Sequence, residues 1–563
     1  MHPICRLARA TGRFASRCLP FAVVGAIAVP PGTVAAANAR PPLIRWGDCD
    51  PALVGGAYPD LGYRLHCGRA HMPLDHLKPD GRTIEVGIVR IAAADSMQRE
   101  GAIFVNVGGP GGQPAAYVAA LASYFDSVDP TDPVHGDKRR LAERFDFIAV
   151  IPRGLKGGWT YDCDPPPLTH QFLPAHRDDA NWAKVLSDTR ARANACSRPV
   201  EAPYLSTEQH VRDMDAVRAS LGDPLIHFYG ISYGGRVGAT YAAFFPHRLG
   251  RMLLDSTLAF PGSYRNGMYL TSDAERAVFE RDVLGPVQHE ARRFGQPEGD
   301  GALAWAVRNL SDVVRPAWHD AMLDPVYLAA VLTMDRWVKT GGWHGWDALA
   351  RKVSTQRFSP DPDGDVAIRA VAEELVEHGQ RVTTEAGWRT RRGMRTQESL
   401  IDQHGEWLNL AVMCNDETWE PIEQKIRARA DRDAFDYPLL DGTQIVDQLT
   451  CSAWPRRVAR SPDFDLLTTR APFLLLQSED DVATPLAGAR TVLKRFPTSR
   501  LIVARGVGRH GLLGRSSTPC IEQGAIAYLL RGELPAGTQR ESSCPFVPFH
   551  EGDPRDAYAP EGQ

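Results

Sequence analysis

The sequence predicts an α/β fold, in which a mostly parallel sheet is flanked by helices and interrupted by a large, mainly helical insertion. Short runs rich in Val, Ile, Leu and Phe end at turn residues, as strands buried on both faces do. Helical patterns lie between several of these runs, and such alternation is typical of a parallel sheet. The apolar runs are 84–92, 102–107, 147–151, 225–229, 251–255, 473–477 and 501–504.

The clearest helical pattern covers 206–221. Ser206 and Gln209 form a capping box, whose side chains satisfy amide groups of the first turn. Apolar residues then recur at helical spacing, and Gly222 is the kind of residue that ends a helix. We therefore predict a helix over this segment.

The alternation of strands and helices stops after residue 257 and resumes at 473. We therefore expect two core segments, 40–257 and 471–563, separated by a helical cap over 258–470. Nine of the twelve Trp residues fall in this cap. Because buried aromatic side chains mostly pack against one another, we expect most of these Trp residues to form its core.

Residues 1–39 have the order of a secretory signal peptide. Four Arg and no acidic residue occupy 1–17, an apolar run covers 18–36, and small residues follow up to Ala39. Prolines break the apolar run, which is short for a membrane span of about 20 residues. We predict export to the periplasm or the medium, with cleavage near Ala39 and no stable membrane insertion afterwards.

Composition excludes several classes of protein. The 64 Lys and Arg against 68 Asp and Glu give a formal net charge of −4, so a basic nucleic-acid scaffold is excluded and no nucleic-acid partner is expected. The 43% of hydrophobic residues is ordinary for a globular protein. Neither H-E-x-x-H nor C-x-x-C occurs, so no metal site is expected.

Eight cysteines remain after the predicted cleavage, and an even number in an exported chain predicts disulfides. They fall into four pairs of sequence neighbours. On that basis we predict the bonds Cys49–Cys67, Cys163–Cys196, Cys414–Cys451 and Cys520–Cys544.

The segment Gly230-Ile231-Ser232-Tyr233-Gly234 matches G-x-S-x-G and lies between a predicted strand and a predicted helix at about 233–245. In the α/β-hydrolase fold this sharp turn lifts a serine hydroxyl clear of the sheet. The turn is crowded and needs small neighbours, which Gly230, Gly234 and Gly235 supply. The N-terminus of the following helix favours a developing oxyanion. We predict that Ser232 is a nucleophile.

A second glycine-rich loop, 108–112, follows the strand at 102–107. Its spacing fits neither the dinucleotide fingerprint nor the phosphate P-loop. In an α/β-hydrolase sheet the loop at this place supplies one oxyanion donor, and the residue after the nucleophile supplies the other. We therefore predict an oxyanion hole formed by Tyr233 with Gly109 and Gly111.

The serine needs a base and an orienting acid, and in this fold the chain order is Ser, Asp or Glu, His. Glu479, Asp480 and Asp481 all follow the strand at 473–477, and the residue pattern leaves the three open. Thr484 is predicted to cap the next helix. His510 follows the last apolar run in a glycine-flanked loop and is the predicted base.

Taken together, these motifs resemble the secreted α/β-hydrolase peptidases of the proline iminopeptidase and tripeptidyl aminopeptidase group, over most of the mature chain. The resemblance implies Asp481 as the acid, since that family has Asp-x-x-Thr-Pro at this place, and it pairs His510 with Gly511. Ile151 departs from the family, which often has Asp in Asp-Pro-Arg-Gly. Other family-like segments are 72–75, 109–111, 204–207, 229–235, 411–416 and 451–455.

The resemblance implies an exported serine exopeptidase, an aminopeptidase of tripeptidyl or prolyl type, which cleaves peptides near free N-termini through an acyl-enzyme and needs no cofactor. A cap carboxylate would bind the substrate ammonium, and Asp416, Glu417 and Glu406 are the candidates. One alternative is an esterase of small acyl esters, which uses the same three groups. The other is a degenerate hydrolase used for binding, against which the presence of Ser, Asp and His argues.

Overall fold

The computed structural model describes most of the chain after the predicted signal peptide. Residues 1–39, to which the signal peptide is assigned, and Trp388 lie outside the described residues. The described residues are 41–547 without 57, 300, 319–321, 323, 385–396, 438–439, 441, 456–457, 470–471 and 515–517.

One sheet forms the centre of the molecule. The described residues contribute β1 (Arg45–Gly47), β2 (Leu65–Pro73), β3 (Thr83–Ile91), β4 (Gly101–Asn106), β5 (Phe145–Val150), β6 (Ile226–Ile231), β7 (Leu249–Asp255), β8 (Leu474–Ser478), β9 (Arg500–Arg505) and β10 (Glu541–Pro545). Their order is β1-β2-β3-β5-β4-β6-β7-β8-β9-β10. Three neighbouring pairs are antiparallel, namely β1 with β2, β2 with β3 and β3 with β5. The other pairs in the sheet are parallel. This confirms the predicted, mostly parallel sheet.

Each of the seven apolar runs lies in one of the strands β3 to β9. The sequence analysis missed β1, β2 and β10. Polar side chains of β2 alternate with buried ones, so this strand lacks the continuous apolar run of a strand buried on both faces. The outermost strands β1 and β10 are short and largely exposed.

Helices surround the sheet. In the described part of the chain they are α1 (Pro51–Val54), α2 (Pro114–Ser127), α3 (Gly136–Arg144), α4 (Asp179–Ser197), α5 (Thr207–Leu221), α6 (Gly234–Phe244), α7 (Tyr264–Val278), α8 (Gly285–His289), α9 (Ala302–Arg308), α10 (Val314–Trp318), α11 (Pro325–Gly341), α12 (Trp346–Thr355), α13 (Pro362–Thr384), α14 (Gln397–Asp416), α15 (Glu423–Asp436), α16 (Thr443–Ser452), α17 (Leu486–Arg495) and α18 (Pro519–Arg531). A π-helical segment, Phe279–Leu284, joins α7 to α8.

Helix α5 has the predicted ends. The Ser206 hydroxyl accepts the N–H of Gln209 at 3.3 Å, and Gly222 closes the helix in a left-handed conformation. The side chains along its inner stripe are buried against the sheet.

Between Asp255 and Leu474 the described residues form the helices α7 to α16 and no strand. Part of this insertion has an apolar core of its own, which includes the fully buried Trp318. Helix α14 differs, because Trp407 and its neighbours belong to the same apolar cluster as the sheet. The insertion therefore reaches the sheet through α14.

The disulfides connect neighbouring parts of the chain. The structure joins the four predicted pairs, which are Cys49–Cys67, Cys163–Cys196, Cys414–Cys451 and Cys520–Cys544. Within the described residues, no helix has the length and hydropathy needed to cross a lipid bilayer.

Candidate active site

Ser232 lies at a sharp turn between β6 and α6. Its φ of 59° falls in the left-handed region, which costs a residue other than glycine about 1–3 kcal/mol and is often found at functional sites. The turn is as crowded as predicted, because a Cβ atom added to Gly230 or Gly234 would come within 2.5 Å of a backbone oxygen. Only glycine fits at these two positions, so the backbone can pack closely around the turn that carries the serine.

The predicted base and acid are hydrogen-bonded. His510 Nδ1 donates to Asp481 Oδ2 at 2.9 Å. Asp481 is almost fully buried, and its other oxygen accepts the N–H groups of Ala483 and Thr484 at 2.9 and 3.0 Å. Gln477 donates to Oδ2 at 3.1 Å. The carboxylate is therefore fixed in the orientation that binds the imidazole.

The two competing acids have other partners. Glu479 accepts the N–H of Gly506 at 2.9 Å, and Asp480 accepts Arg281 at 2.7 Å. Of the three acids that follow β8, the structure thus brings Asp481 to His510.

Thr484 does not cap α17, so that prediction was wrong. Its hydroxyl donates to the carbonyl oxygen of Ser256 at 2.7 Å, and the same oxygen lies 3.3 Å from His510 Nδ1. No side chain caps the helix, whose N-cap position is Pro485. The Thr484 side chain therefore contacts Ser256 and the histidine and does not cap the helix.

Four neighbouring strands contribute to the site at their carboxyl ends, where ligands of open α/β sheets bind. Ser232 follows β6, Asp255 ends β7, Asp481 follows β8 and His510 follows β9, and these four strands are adjacent and parallel. The sheet therefore collects residues that are almost 280 positions apart in the chain.

The sequence analysis gave no role to Asp255 and Ser256, which lie at the end of β7. Asp255 is fully buried, and its Oδ2 accepts the N–H groups of Leu512 and Leu513 at 2.9 and 3.0 Å. Burial raises the pKa of this carboxyl. The next residue, Ser256, has a φ of 51°, and its hydroxyl accepts the N–H of Gly511 at 2.9 Å. Together these two residues hold the loop that carries the histidine.

The glycine-rich loop after β4 packs directly on the turn that carries the serine. A Cβ atom added to Gly108 would lie 2.8 Å from Ser232 Cβ and 3.0 Å from the amide nitrogen of Tyr233. The N–H of Gly108 is engaged by Asn106 Oδ1 at 3.0 Å. In the described part of the chain, the N–H groups of Gly109, Gly111 and Tyr233 have no such acceptor. These three groups therefore have no acceptor among the described residues, and the oxyanion hole that they would form stays a prediction.

A buried histidine supports this loop. His210 Nε2 accepts the amide of Asn106 at 3.3 Å, and Asn106 in turn holds Gly108. Burial, together with the charge of Arg153, lowers the pKa of His210 to about 4. The ring is therefore neutral near pH 7 and able to accept this hydrogen bond.

The cap acids at the end of α14 are engaged by the core. Asp416 accepts the N–H of Thr207 at 2.9 Å and the hydroxyl of Tyr264 at 3.0 Å. Glu417 accepts Arg236 at 3.0 Å and the N–H of Tyr264 at 2.9 Å. Burial raises the pKa of both carboxyls, and the Arg236 guanidinium opposes that shift. These interactions tie α14 to α5, α6 and α7.

Glu406 has a different setting. It is half-buried on α14 and follows Gly405, whose carbonyl oxygen packs on Gly111 so closely that a Cβ atom there would collide with it. Of the three predicted amine-binding acids, Glu406 is thus the one beside the glycine-rich loop.

Ile151 stands where the resembled family often has Asp, and the nearby Arg153 is nevertheless held by several hydrogen bonds. Ile151 is buried in the main core, and Arg153 binds Asp213 through two hydrogen bonds of 2.9 and 2.7 Å. Arg153 also donates to the carbonyl oxygen of Leu74 at 2.8 Å, and His76 bonds to Asp213 at 2.7 Å. The segments 72–75 and 151–154 are therefore linked by the hydrogen bond from Arg153 to Leu74, and the buried ion pair with Asp213 holds Arg153 in place.

Within the described residues, no group of three or more His, Cys, Asp and Glu side chains could hold a metal ion. The polar groups at the carboxyl ends of β6 to β9 suit proton transfer and anion stabilisation, which require a base, an oriented acid and convergent N–H donors.

Two parts of the chain match known families. Residues 137–298 match the family described as alpha/beta hydrolase fold, and residues 437–544 match the family described as TAP-like protein. The first match covers the turn around Ser232, and the second covers Asp481 and His510.

Similar proteins include enzymes of two kinds. A tripeptidyl aminopeptidase of Streptomyces coelicolor is 26% identical over 91% of this chain and 87% of its own length. The serine protease Hip1 of Mycobacterium tuberculosis is 24% identical over 83% of this chain and 86% of its own length. Carboxylesterase B of the same species is 30% identical over 27% of this chain and 28% of its own length.

Proposed function

The chain belongs to the tripeptidyl aminopeptidase family of α/β hydrolases, and from that premise we propose that this serine hydrolase is an exported aminopeptidase. It cleaves peptides near free N-termini. The observation that carries the proposal is the 2.9 Å hydrogen bond between His510 Nδ1 and Asp481 Oδ2, in the loops after β8 and β9 of the sheet whose strand β6 leads into the turn of Ser232.

In the proposed reaction the Ser232 hydroxyl attacks the scissile carbonyl while His510 Nε2 takes its proton. Asp481 holds the imidazole in the required tautomer and stabilises the imidazolium. The N–H groups of Tyr233 and Gly109, with Gly111 beside them, receive the oxyanion. His510 returns the proton to the leaving amine, and water then hydrolyses the ester of Ser232 with the N-terminal fragment.

The substrate ammonium needs an anionic partner. We assign the amine-binding role to Glu406, because the preceding residue, Gly405, packs on Gly111 of the glycine-rich loop. Asp416 and Glu417 tie α14 to the core instead. Exchange of this charge-assisted hydrogen bond for a neutral one weakens binding by about 10-fold.

Export is part of the proposal. The Arg-rich and apolar leader at 1–39 supports it, and so do the four disulfides, which persist in oxidising compartments. The purified periplasm and culture medium would contain the mature chain, starting near residue 40, whereas the cytosolic fraction would not.

The first experiment compares a free-amine tripeptidyl chromogenic amide with its N-acetylated copy, using Ser232→Ala as the blank. Efficient cleavage of the free form alone supports the proposal. Glu406→Gln should then raise KM for the free form by about 10-fold, because a charge-assisted hydrogen bond is lost. Glu420→Gln, which changes an exposed acid beyond the end of α14, serves as the matched control.

An esterase of small acyl esters is the second candidate, and the 30% identity to carboxylesterase B over 165 residues favours it. The same three side chains serve ester hydrolysis. Poor cleavage of both peptides together with rapid turnover of an acyl ester would replace the aminopeptidase proposal with this one.

A further inference from the structure

A buried ion pair lies behind the loop that carries His510. Lys138 on α3 and Glu522 on α18 are both fully buried, and Lys138 Nζ lies 2.7 Å from Glu522 Oε2. Lys and Glu are almost never fully buried unless they are paired. Such a pair is often no more stabilising than apolar side chains of similar volume, because both charges lose their hydration. Stability alone therefore does not account for this pair.

The ammonium group of Lys138 is held by three acceptors. Besides binding Glu522, it donates to the hydroxyl of Tyr124 at 3.0 Å and to Nδ1 of His135 at 2.7 Å. An ammonium group has three protons, so each proton has an acceptor. Tyr124 lies on α2, the helix after the glycine-rich loop, and His135 directly precedes α3. The ammonium group therefore has a fixed place between α2, α3 and α18, and it holds the carboxylate of Glu522 there.

The carboxylate of Glu522 also binds the histidine loop. Its two oxygens accept the N–H of Gly514 at 3.1 and 3.3 Å. Gly514 is buried and follows His510 by four residues. A Cβ atom added to Gly514 would lie 3.6 Å from Tyr124 Cε1, so the loop passes directly over α2. The carboxylate thus binds the ammonium group with one side and the backbone of the loop with the other.

Buried side chains hold the whole stretch 511–514, which directly follows His510. The first N–H of this stretch donates to the hydroxyl of Ser256, the next two donate to the carboxylate of Asp255, and the last donates to Glu522. The three acceptor side chains are fully buried. Four successive backbone N–H groups are therefore fixed from the end of β7 and from α18, and Glu522 holds the far end of the stretch.

We propose that Glu522 is a positioning residue for the proposed base, and that Lys138 holds its carboxylate in place. This inference rests on the catalytic roles proposed above for Ser232 and His510. Glu522 acts through the loop: while the N–H of Gly514 is fixed, the imidazole stays within hydrogen-bond reach of the serine, as a general base must. Misplacement of reacting groups by about 1 Å costs about 10²-fold in rate.

Two double variants test this inference, and both remove the ion pair. Lys138→Met with Glu522→Gln keeps an amide oxygen that can accept the N–H of Gly514. Lys138→Met with Glu522→Met has nearly the same side-chain length but lacks a strong acceptor. Neither variant leaves an unpaired charge in the core, which would itself be strongly destabilising. The two proteins therefore differ in the hydrogen bond to the loop.

The substrate is a small acyl ester, whose hydrolysis uses the same three side chains. We expect the double variant with Glu522→Gln to retain most of the native kcat, and the one with Glu522→Met to have a kcat about 10- to 100-fold lower. KM should be the same in both, because neither substitution contacts the substrate. Urea unfolding identifies conditions in which both proteins are folded, and kcat is compared there. A merely structural role would lower the unfolding midpoint and leave kcat unchanged.

Two further variants complete the test. Glu522→Asp keeps the charge beside Lys138 but shortens the side chain, so kcat should fall with KM unchanged, and this variant gives the answer if the double variant with Glu522→Met does not fold. Arg531→Gln is the matched control. Arg531 binds Asp137 at 2.7 Å and so joins the same two helices, α18 and α3, at the surface. Its loss should leave kcat at the native value.

The outcomes separate this inference from the proposed function. Equal kcat in the two double variants, or a native kcat in Glu522→Asp, would overturn the inference. Hydrolysis of the ester by His510→Ala at the native rate would refute the catalytic assignment, and the inference with it. Cleavage of the ester but of no peptide amide would refute the aminopeptidase proposal alone, because the positioning of the base is measured on the ester.

Discussion

The carbonyl oxygen of Asp255 accepts the backbone N–H of Ser232 at 3.0 Å. The carboxylate of the same residue accepts the N–H groups of Leu512 and Leu513, just beyond His510. One buried residue therefore contacts both the turn that carries the serine and the loop that carries the histidine. It sets their relative position without being the acid that bonds to the imidazole.

We expect Asp255→Ala to lower both stability and turnover. Two buried N–H groups would lose their acceptor, at about 1–3 kcal/mol each. Asp255→Asn keeps an oxygen at this place and should retain most of the stability and kcat. Urea unfolding and ester kinetics measure the two effects. Equal losses in both variants would show that the hydrogen bonds to the loop are not what matters.

Gly108→Ala should abolish most of the activity. The new Cβ atom would lie 3.0 Å from the Tyr233 amide nitrogen, where the oxyanion is proposed to bind, and 2.8 Å from Ser232 Cβ. Loss of one oxyanion donor costs about 10²–10³ in kcat.

The matched control for this variant is Gly222→Ala. Gly222 has a φ of 77°, similar to the 92° of Gly108, and an added Cβ atom there meets nothing within 4 Å. Its substitution introduces the backbone strain alone. A similar loss of kcat in both alanine variants would attribute the effect to strain and not to the site.

Asp481→Asn should lower kcat by about 10⁴-fold, because an amide group can donate to Nδ1 and so select the wrong imidazole tautomer. Groups that act as a unit are strongly non-additive. We therefore expect the double variant with Ser232→Ala to be no slower than Ser232→Ala alone. A further drop in the double variant would mean that Asp481 acts independently of the serine.

The parts of the site that the sequence predicted are encoded locally. The turn of Ser232 is specified by Gly230 and Gly234 next to it, and helix α5 by the Ser206 cap and its apolar stripe. The chain order of the α/β-hydrolase fold indicated His510 and the loop of the acid, and the family resemblance selected Asp481 among three acids. Local pattern sufficed for the turn and the helix, because each depends on residues within one or two turns of each other.

The remaining features depend on contacts between distant segments. Asp255 meets Leu512 across 257 positions, and Glu417 meets Arg236 across 181. No local pattern distinguishes such an acid from a solvated one, so the hydrogen bonds of Asp416 and Glu417 to the core could not be predicted from the sequence. Likewise, the capping motif at Thr484 gave no sign of the hydrogen bond that it makes to Ser256.

The support of the glycine-rich loop by His210 predicts a dependence of stability on pH. The pKa of His210 is about 4 in the folded protein, against an ordinary 6.5, because the ring is buried. Between these values the unfolded chain binds the proton and the folded protein does not. The stability that the neutral ring contributes is therefore complete above pH 6.5 and is lost as the pH falls towards 4, by about 3 kcal/mol in total.

His210→Gln removes the titrating group and retains an oxygen that can accept the amide of Asn106. Between pH 6.5 and 4 the free energy of unfolding should fall in both proteins, and the fall in the variant should be about 3 kcal/mol smaller than the fall in the native protein. Urea unfolding of both proteins at the two pH values measures the difference. An equal fall in the free energy of unfolding of both proteins would contradict the depressed pKa of His210. The loss of stability in acid would then come from other titrating groups.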